Sequence, residues 1–130
     1  MHVACVLVDH FPLKLELERD SELQQHRVIL FQRRGSRRTV VDASSSIPKV
    51  TPGMSLQEAQ AQCGDAVPIE ADMARYEHEF NGILLRLGDR SPVVQASGMG
   101  VAYVGLDGLE DTYGSEGRLI ELLLQAVPQY

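Results

Sequence analysis

Apolar and polar positions alternate along this chain with two different periods, and the switches between them mark its elements. Val3 to Val8 is a continuous apolar run closed by Asp9 and His10, which predicts a short strand buried on both faces in the middle of a sheet. Leu13 to Glu18 alternates with period two. Its Leu, Lys and Glu residues are nevertheless good helix formers, and Leu13 and Leu17 stand one turn apart, so a helix after Pro12 is the reading. Arg27–Gln32 and Arg38–Asp42 are β-branched strand candidates flanking Arg33-Arg34-Gly35-Ser36-Arg37, a hairpin with a basic tip.

From Asp42 to Pro52 the chain has no period and is rich in Ser and Pro, which reads as a loop. A helix then starts at Ser55, which can cap it, with Glu58 three residues on to complete a capping box and Gly64 to close it. Ala66 to Glu70 contains Pro68 and is therefore an edge strand. Asp72 can cap a longer helix in which Met73, Tyr76, Phe80, Ile83, Leu84 and Leu87 recur at three- and four-residue steps, with His78 on the polar face.

Val93 to Gly105 reads as two apolar strands joined by the glycine-rich turn Ser97-Gly98-Met99-Gly100, followed by a polar helix start. Ser115 opens a last helix, ended by Pro128, whose Leu119, Ile120, Leu122, Leu123 and Leu124 are apolar over most of its circumference; such a helix needs a neighbour on more than one side. The order strand, helix, strand, strand, helix, strand, helix, strand, strand, helix predicts an α/β or α+β domain with helices on an antiparallel or mixed sheet.

Composition changes this picture little. With 130 residues, 44% hydrophobic and 23% charged, one ordinary globular unit is expected. The net charge of −6 argues against a nucleic-acid binder held by bulk charge, yet four of the twelve basic residues (Arg33, Arg34, Arg37 and Arg38) crowd one hairpin. That cluster is either a solvated turn that resists aggregation or a finger that contacts phosphates. Cys5 and Cys63 lack metal-ligand spacing and read as buried free thiols, which favours a cytoplasmic location. No membrane span or signal-peptide pattern is present.

Candidate chemistry is sparse. Gly98-Met99-Gly100 lacks the third glycine of a dinucleotide turn and leads into a strand, not a helix. Asp9 ends the first strand, and Asp107, Glu110 and Asp111 follow the last one; carboxylates converging at strand ends are what a two-metal phosphoryl-transfer site takes. The same acidic residues, beside Gly108 and Tyr113-Gly114, equally suit a turn and a helix start.

Several blocks in series resemble the N-terminal half of the Y-family translesion DNA polymerases, particularly their ImuB-like branch. They are Val6-Leu7-Val8-Asp9-His10-Phe11, Glu22-Leu23, Val50-Thr51-Pro52-Gly53-Met54-Ser55-Leu56-Gln57-Glu58-Ala59, Asp65-Ala66-Val67, Asp72 with Arg75-Tyr76, Ala102-Tyr103, and Leu106-Asp107-Gly108-Leu109. The resemblance implies an α+β fold. In it, residues 1–10 and 71–130 form a palm-like mixed or antiparallel sheet with helices packed on it, and residues 11–70 form a small α/β fingers insertion. It implies too that a thumb and a C-terminal DNA-binding domain are absent from this chain.

Carried over one residue at a time, the family's functional positions change character. The first metal aspartate falls on Leu7, with Asp9 two residues on; the paired Asp-Glu falls on Gly100 and Val101. The sugar-screening aromatic falls on Pro12, and the Tyr and Arg that hold the triphosphate fall on Ala43 and Ser46. Leucine, glycine and valine side chains cannot hold Mg²⁺. The resemblance therefore implies an inactive homologue, not an enzyme and without a cofactor, working in the SOS response to DNA damage as a scaffold. Its implied partners are DNA, bound weakly and mainly through parts outside this chain, a replicative-type polymerase and a sliding clamp, with no membrane. Two other readings stand beside it. One is a residual Mg²⁺-dependent nucleotidyltransferase using Asp9 with Asp107 or Glu110; the other is a protein-interaction domain without a nucleic-acid role.

Overall fold

A computed structural model describes residues 2–128 and divides the chain into two compact units, Met1–Asp9 with Ala74–Tyr130, and His10–Met73. The fold is α+β throughout.

In the first unit, β1 (Val3–Leu7), β5 (Val94–Ala96) and β6 (Val101–Gly105) make an antiparallel sheet in the order β1-β6-β5, with Val3 opposite Gly105 and Leu7 opposite Val101. Ala102 and Val104 point inward and are wholly buried. The unit's helices are α3 (Met73–Gly88), which begins at the unit boundary, the short α4 (Glu110–Tyr113) and α5 (Glu116–Gln125). α3 buries Tyr76, Phe80, Ile83 and Leu87, and α5 buries Leu119, Leu122 and Leu123. Arg86 Nε donates to the Ala126 carbonyl at 2.8 Å and ties α3 to the end of α5. The Ser115 hydroxyl caps α5 by accepting from the Arg118 N–H at 3.1 Å. In the turn between β5 and β6, Gly98 and Gly100 take φ of 86° and 84°, left-handed values that a side chain would strain.

The second unit holds α1 (Phe11–Arg19), a 3-10 turn over Ser21–Gln25, β2 (Val28–Arg34), β3 (Arg37–Ala43), α2 (Leu56–Gln62) and β4 (Val67–Glu70). Its sheet runs β3-β2-β4, with β2 antiparallel to β3 and parallel to β4. β4 is an edge strand, the place where Pro68 removes no interior ladder donor. Val28, Ile29 and Leu30 are fully buried, and Ile29, Phe31, Val40, Ile47, Leu56 and Ala59 share one apolar cluster. The Ser55 hydroxyl accepts from the Glu58 N–H at 3.1 Å and starts α2 as expected.

Three expectations need correction. β1 is an edge strand, not a central one, and its burial alternates, so Val3, Cys5 and Leu7 face solvent. The apolar run therefore does not report burial on both faces, and Cys5 is an exposed thiol while Cys63 is buried. The basic hairpin has a loop of only Gly35 and Ser36, so all four arginines lie within paired strands. Finally, the turn over Ser21–Gln25 and the four-residue α4 carry too few residues for a period to show. Among the described residues, no helix is long and apolar enough to cross a membrane.

Candidate nucleic-acid interface

At the open end of the first unit's sheet, Leu7 stands directly opposite Val101, and the Val8 N–H donates to the Gly100 carbonyl at 2.8 Å. Gly100 is buried at φ 84°, and Leu7 is 64% exposed. The three positions read against the family's metal carboxylates are thus neighbours on paired strands. Asp9 follows on the solvent side.

Asp107 lies at the other end of the same strand pair, where its Oδ1 accepts from the His2 N–H at 2.9 Å. Four steps of β1 separate the two ends, roughly 14 Å at an extended rise, and Asp9 and Asp107 lie beyond them on opposite sides. A two-metal site holds its ions about 4 Å apart. Asp9 therefore cannot share such a site with Asp107, and the reading that joined them is corrected on this geometry. Glu110 opens α4 next to Asp107, and its side chain lies outside the described residues. Asp111 is exposed on α4.

Among the described residues, no group of three or more His, Cys, Asp or Glu could hold a metal ion. The side chains at Leu7, Gly100 and Val101 offer no oxygen, so these three residues do not fit a Mg²⁺ ion.

In the second unit, Pro12 is buried in the first turn of α1, Ala43 is buried at the end of β3, and Ser46 is exposed just beyond. None carries a group that grips a triphosphate. Between the first two lies an arrangement that sequence reasoning missed. Asp42, 7% exposed, accepts from the Leu13 N–H at 3.1 Å and from the Ala43 N–H at 2.9 Å, and lies 2.7 Å from Nδ1 of His10. It acts as a remote cap of α1, taking up an N–H of the first turn that no helical carbonyl can reach. His10 takes φ 52°, a left-handed value uncommon outside glycine and met among other residues chiefly at Asn, Asp and His, and its bond to Asp42 holds it there. The available signal was a lone carboxylate ending the apolar run Val40-Val41; its partner 32 residues away was not readable.

A second missed cluster joins Cys63, Arg27 and Asp65. The buried Sγ accepts from Arg27 Nη1 at 3.4 Å and donates to Asp65 Oδ1 at 2.8 Å. That donated bond, helped by the Arg27 charge, holds the Asp65 carboxyl below its ordinary range, and the bond to Cys63 raises Arg27.

The β2–β3 hairpin carries the strongest local positive charge. Arg33 lies opposite Arg38 and Arg34 opposite Arg37, all exposed. Arg33 is engaged by Glu70 at 3.4 Å and lies 5.9 Å from the Phe31 ring centroid. Beside Arg37 and Arg38 opens a cleft of about 460 Å³, rimmed also by Ser36, Thr39 and Ser55.

Comparison with known proteins places this geometry. The model of the impB/mucB/samB family matches residues 6–129. A protein of Dehalococcoides mccartyi named DNA polymerase IV is 31% identical over 121 residues, covering 92% of this chain and 30% of its own length. The structure of DinB from Sulfolobus solfataricus superposes on 97% of the chain with a TM-score of 0.83 at 20% identity, and the chain covers 37% of it. An insertion ternary complex of Dbh DNA polymerase gives a TM-score of 0.80 at 19% identity, with 97% of this chain and 38% of that one covered. The chain thus spans about a third of the length of these relatives.

These relatives correct the expectation of an inactive homologue. Two of these relatives are named DNA polymerases, one of them in a complex at its insertion step. Three side chains in a chain that spans a third of such proteins do not establish a loss of activity.

Proposed function

The chain belongs to the impB/mucB/samB family of Y-family DNA polymerases, and from that premise we propose that it is the palm-and-fingers portion of a polymerase that copies damaged DNA. In this reading the unit of residues 1–9 and 74–130 is the palm, and the unit of residues 10–73 is the fingers. The observation that carries it is the family match over residues 6–129, which spans both units without leaving either aside. The substrates proposed for the whole protein are a primer-template DNA and deoxynucleoside triphosphates.

Primer extension by the full-length protein, on undamaged and lesion-bearing templates with Mg²⁺, tests this. Extension on both templates is the expected result, and it requires metal-holding carboxylates at positions other than Leu7, Gly100 and Val101, whose side chains offer no oxygen. A protein that binds the primer-template yet adds no nucleotide would overturn it.

A further inference from the structure

The β2–β3 hairpin sets like charges directly across from each other twice in succession, Arg33 against Arg38 and Arg34 against Arg37. Such pairs destabilise a strand pair. Nothing in the turn demands them, because Gly35 at φ 63° and Ser36 close the two-residue loop by themselves. One of the four charges is compensated inside the fold: Arg33 lies 3.4 Å from Glu70. Among the described residues, no ion pair engages Arg34, Arg37 or Arg38. The hairpin therefore keeps an electrostatic cost that an anion from outside would relieve.

The cleft beside it has the chemistry for that anion. Arg37 and Arg38 line it together with the hydroxyl-bearing Ser36, Thr39 and Ser55, and the Gly53 backbone closes the rim. Guanidinium groups bind phosphate in fork geometry, and hydroxyls donate to the same oxygens. Glu58 also lines the cleft and disfavours a densely charged compact anion at its end of the rim. An extended strand, with its charges spaced along a backbone, can meet the arginines and pass the carboxylate at a distance.

We infer that Arg37 and Arg38, backed by Arg34, form a phosphate-binding edge for the backbone of a DNA strand, and that Arg33 belongs to the fold and not to this edge. The inference rests on the reading of the chain as part of a DNA polymerase, and it adds which residues of the fingers unit hold the strand and which basic residue does not. It reads phosphates and not base edges, so binding is independent of sequence. It also answers the overall charge of −6, since a strand guided by three adjacent arginines responds to the local field.

The test is fluorescence anisotropy with the 130-residue chain and labelled oligo-dT or a labelled primer-template duplex, across a salt series. Arg37→Ala and Arg38→Ala are each expected to weaken binding several-fold. Each should also lower the slope of log K against log salt by about 0.7 on a single strand or about 0.9 on a duplex, which says which form is held. Arg33→Ala is expected to leave the slope unchanged. The thermal midpoint of Arg37→Ala should equal or exceed that of the parent, because the variant removes a repulsion; a contact needed for folding would lower it.

Full affinity and slope in the Arg37→Ala/Arg38→Ala double variant would overturn the inference and leave the polymerase reading standing. Displacement of the DNA by polyglutamate at equal charge concentration would overturn it too, by showing a surface for anions in general. If the parent chain fails to bind either DNA at low salt, the inference falls. Primer extension by the full-length protein then decides the polymerase reading separately.

Discussion

Residues 1–9 and 74–130 carry four arginines and lysines against nine carboxylates, whereas residues 10–73 carry eight against the same nine. Their interiors differ in a complementary way. Among the described residues, the first unit buries one polar side chain, Ser91, and leaves an apolar sheet face in water; the second buries Glu16 and Asp42 and puts its arginines outside. A summed charge of −6 hides this division. It is an average over an acidic unit with hydrocarbon on display and a nearly neutral unit with a concentrated basic hairpin, and only the second offers phosphates a local field.

The sharpest way to break the comparison is to ask whether the two units lose structure separately. Leu119 is fully buried in the first unit, and Leu119→Ala should cost about 3–5 kcal/mol, the range for a truncation that leaves a cavity. Hydrogen exchange should then show the amides of β1, β6 and α5 losing protection while those of β2 and β3 keep theirs. Equal loss everywhere would mean one cooperative body, and the contrast between the units would carry no energetic meaning.

A smaller effect is expected at Asp42. Asp42→Asn keeps the shape but turns one of two acceptor oxygens into a donor, facing either the Leu13 or the Ala43 N–H. Leaving one buried donor unsatisfied costs about 2 kcal/mol. Chemical denaturation measures it, and a loss confined to α1 and the end of β3 would place the cost in the second unit. A neutral substitution would show that the buried carboxylate is not what fixes the start of α1.

The order of elements and the two hairpins were legible because period and turn residues report local structure directly. Ser55 and Ser115 announced their helices, and both cap them. The exposure of β1 was not legible. Val-Ala-Cys-Val-Leu reads the same whether one face or both are covered, and only the strand order settles it. The candidate site divides along the same line. The grouping of four arginines was visible in sequence; that Arg33 is taken by Glu70 and that Arg37 and Arg38 rim a cleft depends on strand register. The proposed partnership of Asp9 with Asp107 failed for this reason too, since sequence shows that both flank strands but not that those strands run antiparallel and set them at opposite ends.

The smallest effect concerns the exposed rim of the second unit. Asp65 accepts from the Cys63 thiol and stands 4.0 Å from Arg27, and the thiol's bond is the larger cause of its lowered pKa. A carboxyl with a folded pKa below its unfolded value adds stability that is fully present above the unfolded pKa and disappears as pH falls through the folded one. Asp65→Asn removes that contribution at neutral pH and has nothing left to lose in acid. The denaturation midpoints of the parent and the variant should therefore differ slightly at pH 7 and converge as the medium is taken below the ordinary aspartate range. Because Asp65 is open to solvent, added salt should shrink the neutral-pH gap. A gap that persists at low pH would mean that the variant disturbs the packing of the buried Cys63 and not a charge, moving the cluster from the surface of the second unit into its core.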